Sequence, residues 1–338
     1  MIRRLIFFGV FNKVEGHVML RRILIATIAL AGVSGPAFAS DKVTLRLDWV
    51  YGSEHAPIFL ARDKGFFAKD GIEVTLLPGQ GSTVTVKLVG NGTADFGYAA
   101  ADQALMAYAK GLPVVSTAVI LQKNPVAVIF PKSTGIKKLT DLYGKTLGIP
   151  FQSVGEKQWR YVAKFNKIDE SKIHEVAVDR NIAAMVEAKK VDASLAFFFN
   201  DGLKVVSDGI PTDWFLLSDA GLPIYSTSLL VNEDMIKKNP DLVKRFTHAF
   251  VEGWKYSMTH EKEALDAFLK DNPTVDAKYS ALKLPEVLKL TQSADTEKNG
   301  IGYSSEANWA AMQKALVEMG IMASPIDVSK VFTNQFLK

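Results

Sequence analysis

No cysteine occurs among the 338 residues. That single absence removes disulfides, thiol nucleophiles, iron–sulfur clusters and every cysteine-based zinc site. Histidine is scarce as well: there are five, and the four beyond residue 39 (His55, His174, His248 and His260) are too scattered for a motif such as H-E-x-x-H. The apolar run Ile23 to Val33 is about half of the roughly 20 residues that span a bilayer core. Charge of one sign is missing once the first 39 residues are set aside. They hold five Lys/Arg and one acid, so 40 basic and 36 acidic residues fall to 35 of each. A neutral chain gives no electrostatic reason to bind nucleic acid or an anionic membrane.

What is present begins with an export signal. Arg21 and Arg22 form a positive n-region, Ile23 to Val33 is the apolar segment, Gly35-Pro36 breaks it, and Ala37-Phe38-Ala39 is the small-x-small pattern cut by signal peptidase. Residues 1–39 are therefore read as a cleaved signal peptide, with Ser40 as the mature N-terminus and the periplasm as destination. Met19-Leu20-Arg21-Arg22 opens a complete signal by itself, so residues 1–18 read as an over-extended start. Arg3-Arg4 lacks a twin-arginine context, which leaves ordinary Sec export, and no Cys follows the run to carry a lipid anchor. About 300 residues without disulfides suffice for a self-sufficient core and on length indicate two domains.

Beyond residue 40, strand and helix patterns alternate. Val43 to Leu47 alternates as a strand, Pro57 opens a helix that Gly65 ends, and Ile72 to Leu77 is a second strand. Ser82 caps a helix to Val89, followed by the strand Phe96 to Ala99, a helix from Ala101 and a longer strand from Val114 to Leu121. This rhythm specifies an α/β chain with a largely parallel sheet. An internal echo supports two similar lobes: Leu88 to Phe96 runs helix end, turn, Asp95, strand, and Met185 to Ala193 repeats that order with Asp192 at the same offset. Lobe 1 is expected over 40–130 plus 226–338, and lobe 2 over 131–225. From Glu233 onward the pattern is helical, and Leu242, Phe246, Phe250, Trp309 and Leu316 fall at core spacing.

Several catalytic signatures fail on inspection. Gly144-Lys145-Thr146 ends like a P-loop, but position 139 is Leu and a strand follows. Ser280 to Lys283 fits S-x-x-K without its companions, and no G-x-S-x-G elbow occurs beyond residue 39. The loops at the carboxyl ends of the strands, where open α/β sheets bind ligands, are richer. Asp48, Trp49, Tyr51 and His55 crowd the first, with aromatic rings for a flat wall and Asp48 or His55 as polar anchor. Gly81, Ser82 and Thr83 offer close backbone approach and donors at a helix start. Tyr98 enters from the third strand, with Asp102 beyond it, and Asn124 lies near the first crossing between lobes. On the second lobe Phe151, Gln152 and Ser153 again place an aromatic before donors at a helix start, and Tyr225 lies at the return crossing. Phe197-Phe198-Phe199-Asn200 reads either as a further wall or as packing. Trp49 is expected to stack on the solute, with Tyr98 and Phe151 closing from the two lobes.

Leu47-Asp48-Trp49, His55-Ala56-Pro57, the run Ala61 to Phe67 and Asp70 to Val74 resemble the opening of periplasmic substrate-binding proteins of ABC importers, of the thiamine-pyrimidine-precursor and sulfonate/nitrate/taurine type. Gly90 to Gly97, Lys110 to Val114, Lys138 to Lys145 and Asn239 to Val243 continue the likeness in order over about 43–270. The resemblance implies a two-lobed periplasmic-binding-protein fold (type II) that closes on a small solute in the cleft between its lobes. It also implies a monomer that delivers that solute to an ABC transporter permease at the inner membrane. The Trp49 to His55 loop most resembles the branch that binds a pyrimidine or related heterocyclic vitamin precursor. The sulfonate, nitrate and taurine binders hold small anions on helix N-termini, which loop 79–83 also suits. Related eukaryotic pyrimidine synthases carry a Cys-rich iron motif that a cysteine-free chain lacks. The expectation is a receptor, not an enzyme, with no metal and no cofactor.

Overall fold

The computed structural model describes residues 40–338 apart from Arg180. The expected signal peptide, residues 1–39, lies outside the described residues. Strands β1 (Asp41–Arg46), β2 (Ile72–Leu77), β3 (Phe96–Ala100), β4 (Val114–Val119) and β10 (Thr227–Asn232) form one sheet in the order β2-β1-β3-β10-β4. Strands β5 (Val126–Pro131), β6 (Thr146–Ile149), β7 (His174–Ala177), β8 (Ala193–Phe197) and β9 (Thr212–Leu216) form the other, in the order β7-β6-β8-β5-β9. In each five-stranded sheet four strands point the same way and one, β10 or β5, runs antiparallel to both of its neighbours.

The internal echo has a physical basis. The Asp95 carboxylate, just before β3, accepts from Thr44 N at 2.8 Å and Thr44 Oγ1 at 2.7 Å on β1. Asp192, just before β8, accepts from Thr146 N on β6 at 2.8 Å. Both carboxylates tie the start of a strand to its parallel neighbour at the equivalent place in the two sheets.

One boundary differs from the sequence reading. The strand expected to close lobe 1 at residue 130 lies in the second sheet, where β5 pairs antiparallel with both β8 and β9. Its residues are buried throughout, as a central strand covered on both faces requires, and such an apolar run carries no mark of its sheet. The preceding strand also ends earlier, at Val119, and the chain then crosses. Ile120 N and Leu121 N donate to Thr227 O at 3.0 and 3.1 Å, and Ser226 N returns a bond to Leu121 O at 2.9 Å. The two crossing segments therefore run side by side along the floor between the sheets.

The C-terminal aromatics pack as core. Phe246, on the helix Pro240–Ser257, stacks on Phe96 at 3.8 Å, and Trp254 and Trp309 are fully buried. The helix Ala277–Lys289 touches both the turn Ser53–His55 of the first sheet and the turn Phe198–Gly202 of the second. No helix among the described residues is long and apolar enough to cross a membrane.

Candidate functional site

A cleft of about 600 Å³ opens where the carboxyl ends of β1, β3, β6 and β8 meet the two crossings. The loop after β1 supplies Asp48 and Trp49. Trp49 is 54% exposed, which for an indole means a large apolar face left for something to cover. The main chain beneath it is pinned: Gly79 N donates to Trp49 O at 2.8 Å and Gly81 N to Asp48 O at 2.7 Å. A Cβ on Gly79 would lie 2.0 Å from Leu47 O, so only glycine lets the two loops approach this closely. Gly81, at φ +108°, turns the chain into the helix Ser82–Gly90.

His55 does not reach the cleft. It is fully buried, its Nδ1 accepts from Gly52 N at 3.3 Å, and its Nε2 then carries the proton donated to Asp48 Oδ1 at 2.9 Å. The ring orients Asp48 instead of touching a ligand. Tyr51 also turns away from the cleft, donating to Leu76 O at 2.9 Å with its ring edge-on to Phe59.

Ser82 and Thr83 line the cleft as expected. Ser82 Oγ accepts from Ala100 N at 3.1 Å, and Thr83 Oγ1 donates to Gln103 Oε1 at 2.9 Å. Tyr98 lines it as well, deeply set, with Thr227 Oγ1 bonded to its hydroxyl at 2.5 Å. Asn124 stands at the crossing and lines the cleft, its Oδ1 accepting from Val126 N at 3.0 Å. Ser153 lines the cleft from the second sheet as the N-cap of the helix Val154–Phe165.

Three expected contacts are placed elsewhere. Phe151 is 43% exposed but lies outside the cleft, and Gln152 bends away in a left-handed backbone (φ 60°) with its N–H on Glu156 at 2.6 Å. Tyr225 is core: its ring meets Trp309 edge-on and its hydroxyl accepts from Ser305 N at 3.3 Å. The aromatic wall on the second lobe comes from Phe197, 45% exposed at the end of β8, with Phe199 beside it. Phe198 between them packs on Trp214 at 4.8 Å, so the phenylalanine triplet serves both as wall and as packing.

The charges around the cleft are unevenly matched. Asp48, Glu54 and Asp102 line it, and among the described residues no lysine, arginine or histidine does. Glu54 is answered from behind by Lys283 at 2.7 Å, which also donates to Asn200 Oδ1 at 2.8 Å. Burial alone would raise the Glu54 carboxyl, but Lys283 and His55 outweigh it and hold it below its ordinary value. Asp102 finds no such cation, and burial pushes its carboxyl up. Beside Asn200, Asp201 is pushed up to about 6, again by burial.

A group with its folded pKa raised binds a proton in the native state before it does so unfolded. Asp201 therefore opposes folding at neutral pH, and that opposition fades as pH falls from about 7 toward 4. Asp201→Asn is expected to stabilise the protein at pH 7.5 by about 1–2 kcal/mol, with the gain gone near pH 4. Thermal unfolding across that range checks the sign, and a variant no more stable at pH 7.5 would refute it.

Residues 52–264 match the family described as NMT1/THI5 like. The chain belongs to that family. Among its relatives, the riboflavin-binding protein RibY of Chloroflexus aurantiacus is 25% identical over 307 residues, covering 88% of this chain and 86% of the relative. A 4-amino-5-hydroxymethyl-2-methylpyrimidine phosphate synthase of Legionella pneumophila is 26% identical over 303 residues, covering 88% and 92%. The crystal structure of the periplasmic aliphatic sulphonate binding protein SsuA from Escherichia coli matches with a TM-score of 0.67 at 13% identity, covering 86% of this chain and 91% of that one. At that identity the likeness carries the fold, the two-lobed periplasmic-binding-protein architecture that the resemblance implied. The relatives thus include proteins named as binding proteins and proteins named as synthases.

For this member of the family, Glu54, Gln158, Phe197 and Asn200 are cleft residues that stood out weakly or not at all in the sequence. Gln158 is 3% exposed on the helix Val154–Phe165, and its Oε1 has no partner among the described residues. Gln158 lies five positions beyond Ser153, about 140° round the helix from it, so helical spacing did not single it out.

Proposed function

We propose that this chain is an exported, non-catalytic receptor that holds a planar heterocycle, of pyrimidine or related vitamin-precursor type, and passes it to an ABC importer. The observation that carries the reading is the cleft's lining: Trp49 and Phe197 stand exposed on opposite sheets, and the charged side chains between them are carboxylates. Flat rings gain from stacking between two aromatic faces. A sulfonate or nitrate would instead meet negative charge without a cation among the described lining residues. The names of the relatives support ring binding, riboflavin for one and a pyrimidine phosphate for another. The receptor reading is favoured over the synthase reading because no histidine lines the cleft among the described residues, His55 being buried behind Asp48. The sheets act as two lobes that close about the paired crossings.

The small-anion alternative has one observation in its favour, the convergence of Ser82, Thr83 and Ser153 at two helix starts on the cleft. Calorimetric titration separates the two. Protein recovered from the periplasm should begin at Ser40, bind riboflavin or a 4-aminopyrimidine stoichiometrically, and release it unchanged. Tight binding of taurine with indifference to both rings would reverse the ligand assignment, and turnover of a bound ring would end the receptor reading.

A further inference from the structure

We infer that Asp102 selects the ligand by pairing with an amidine-like ring edge, in which a ring nitrogen stands beside an exocyclic amino group. The inference rests on the heterocycle reading and names the edge that such a ring presents. Asp102 is 7% exposed and lines the cleft in the first turn of the helix Ala101–Tyr108. Among the described residues only Gln103 donates to its carboxyl, through its main-chain N–H at 2.9 Å and its amide nitrogen at 3.4 Å. The other two lining carboxylates are matched, Asp48 by His55 and Glu54 by Lys283. Asp102 is therefore the one whose partner the ligand has to bring.

Gln158 repeats the shortage from the second sheet, since its buried Oε1 also lacks a donor among the described residues. A buried acceptor without a donor is destabilising, so a ligand that supplies N–H groups is favoured there.

A carboxyl group and an amidine edge are complementary. The amino N–H donates to one oxygen, and a single proton is shared between the other oxygen and the ring nitrogen. No net charge has to enter the cleft, which agrees with burial raising the Asp102 carboxyl toward its neutral form. A sulfonate carries acceptors only, so it could take the one proton of a neutral Asp102 carboxyl but offers no N–H to its other oxygen.

The test uses 4-amino-2-methylpyrimidine and 2,4-dimethylpyrimidine, rings of one shape that differ at this edge. By analogy with amide side chains that read the adenine edge, wild type should prefer the amino ring by roughly tenfold to a hundredfold. Asp102→Ala should abolish that preference by weakening the amino ring at least about tenfold more than the dimethyl ring. Asp102→Leu, closer in volume, carries the same expectation if the alanine variant does not fold. Equal binding of both rings by wild type, or an equal loss of both in the variants, would overturn the role of Asp102 and leave the heterocycle reading standing. Binding of taurine with neither ring bound would overturn both.

Discussion

Lys283→Met should cost the protein about 3–5 kcal/mol, the loss expected when a buried ion pair is left with one charge. The Lys283 and Glu54 side chains are 5% and 14% exposed, so the carboxylate left behind has little access to water. Lys283 also lies 4.9 Å from the Phe199 ring centroid and donates to Asn200, contacts that a methionine replaces only in bulk. Thermal unfolding at pH 7.5 should show a midpoint lower by roughly 6–15 °C. The sign with pH follows from linkage. In wild type the depressed Glu54 carboxyl adds stability above its unfolded value near 4.3, and this is lost as pH falls through the folded value. In the variant, burial without its cation raises Glu54, so acidification protonates it and narrows the gap to wild type. Glu54→Leu combined with Lys283→Met should recover most of the loss, because a well-packed apolar pair often matches a buried ion pair. A deficit unchanged between pH 7.5 and 4.5 would show that packing, not charge, sets the cost.

That pair also marks where sequence reading stops. Glu54 and Lys283 are 229 positions apart in the chain, and nothing local to either announces the other. The strand-to-helix loops were legible because glycine, proline and capping residues punctuate them: Asp48, Trp49, Gly81, Ser82, Thr83 and Ser153 all reach the cleft. Residues of mixed character misled. His55 looks like a ligand contact by type, yet packing turns both its nitrogens to its own loop. Tyr225 sits at a crossing as expected, but its ring packs edge-on against the buried Trp309. Phe151 and Phe197 are both exposed aromatics, two residues past β6 and at the end of β8 respectively, and only Phe197 lines the cleft. The placement of β5 was hidden for a related reason, since a strand buried on both faces reads the same in either sheet.

Trp49→Ala should weaken binding of a ring ligand by tenfold to a hundredfold. Stacking of a base-like ring on an aromatic side chain is worth about 1–3 kcal/mol, at 1.4 kcal/mol per decade of affinity. More than half of the Trp49 side chain is exposed in the open cleft, and its loop is fixed by main-chain bonds to Gly79 and Gly81, so the truncated protein should keep its unfolding midpoint within about a degree. That separation of affinity from stability is the informative readout. Phe197→Ala should act in the same direction with smaller size, as phenylalanine offers less area. Ser82→Ala should leave ring binding nearly intact. If Trp49→Ala binds the ring as tightly as wild type, the indole is not the stacking face and the ligand lies deeper, toward Tyr98.

The position of β10 has a consequence for the order in which the chain can fold. Strands β3 and β4 do not pair with each other; each is joined to β10, which runs between them from Thr227 to Asn232. As the chain is synthesised from its N-terminus, the first sheet lacks a central member until residue 232 exists, although the last strand of the second sheet ends at Leu216. Closing a sheet over so long a separation is slow, because the loop entropy is lost before the contacts form. If the chain is exported as proposed above, that delay gives it time to pass a membrane pore while still extended. The same strand that seals the floor of the binding cleft therefore also postpones collapse until most of the chain has been made.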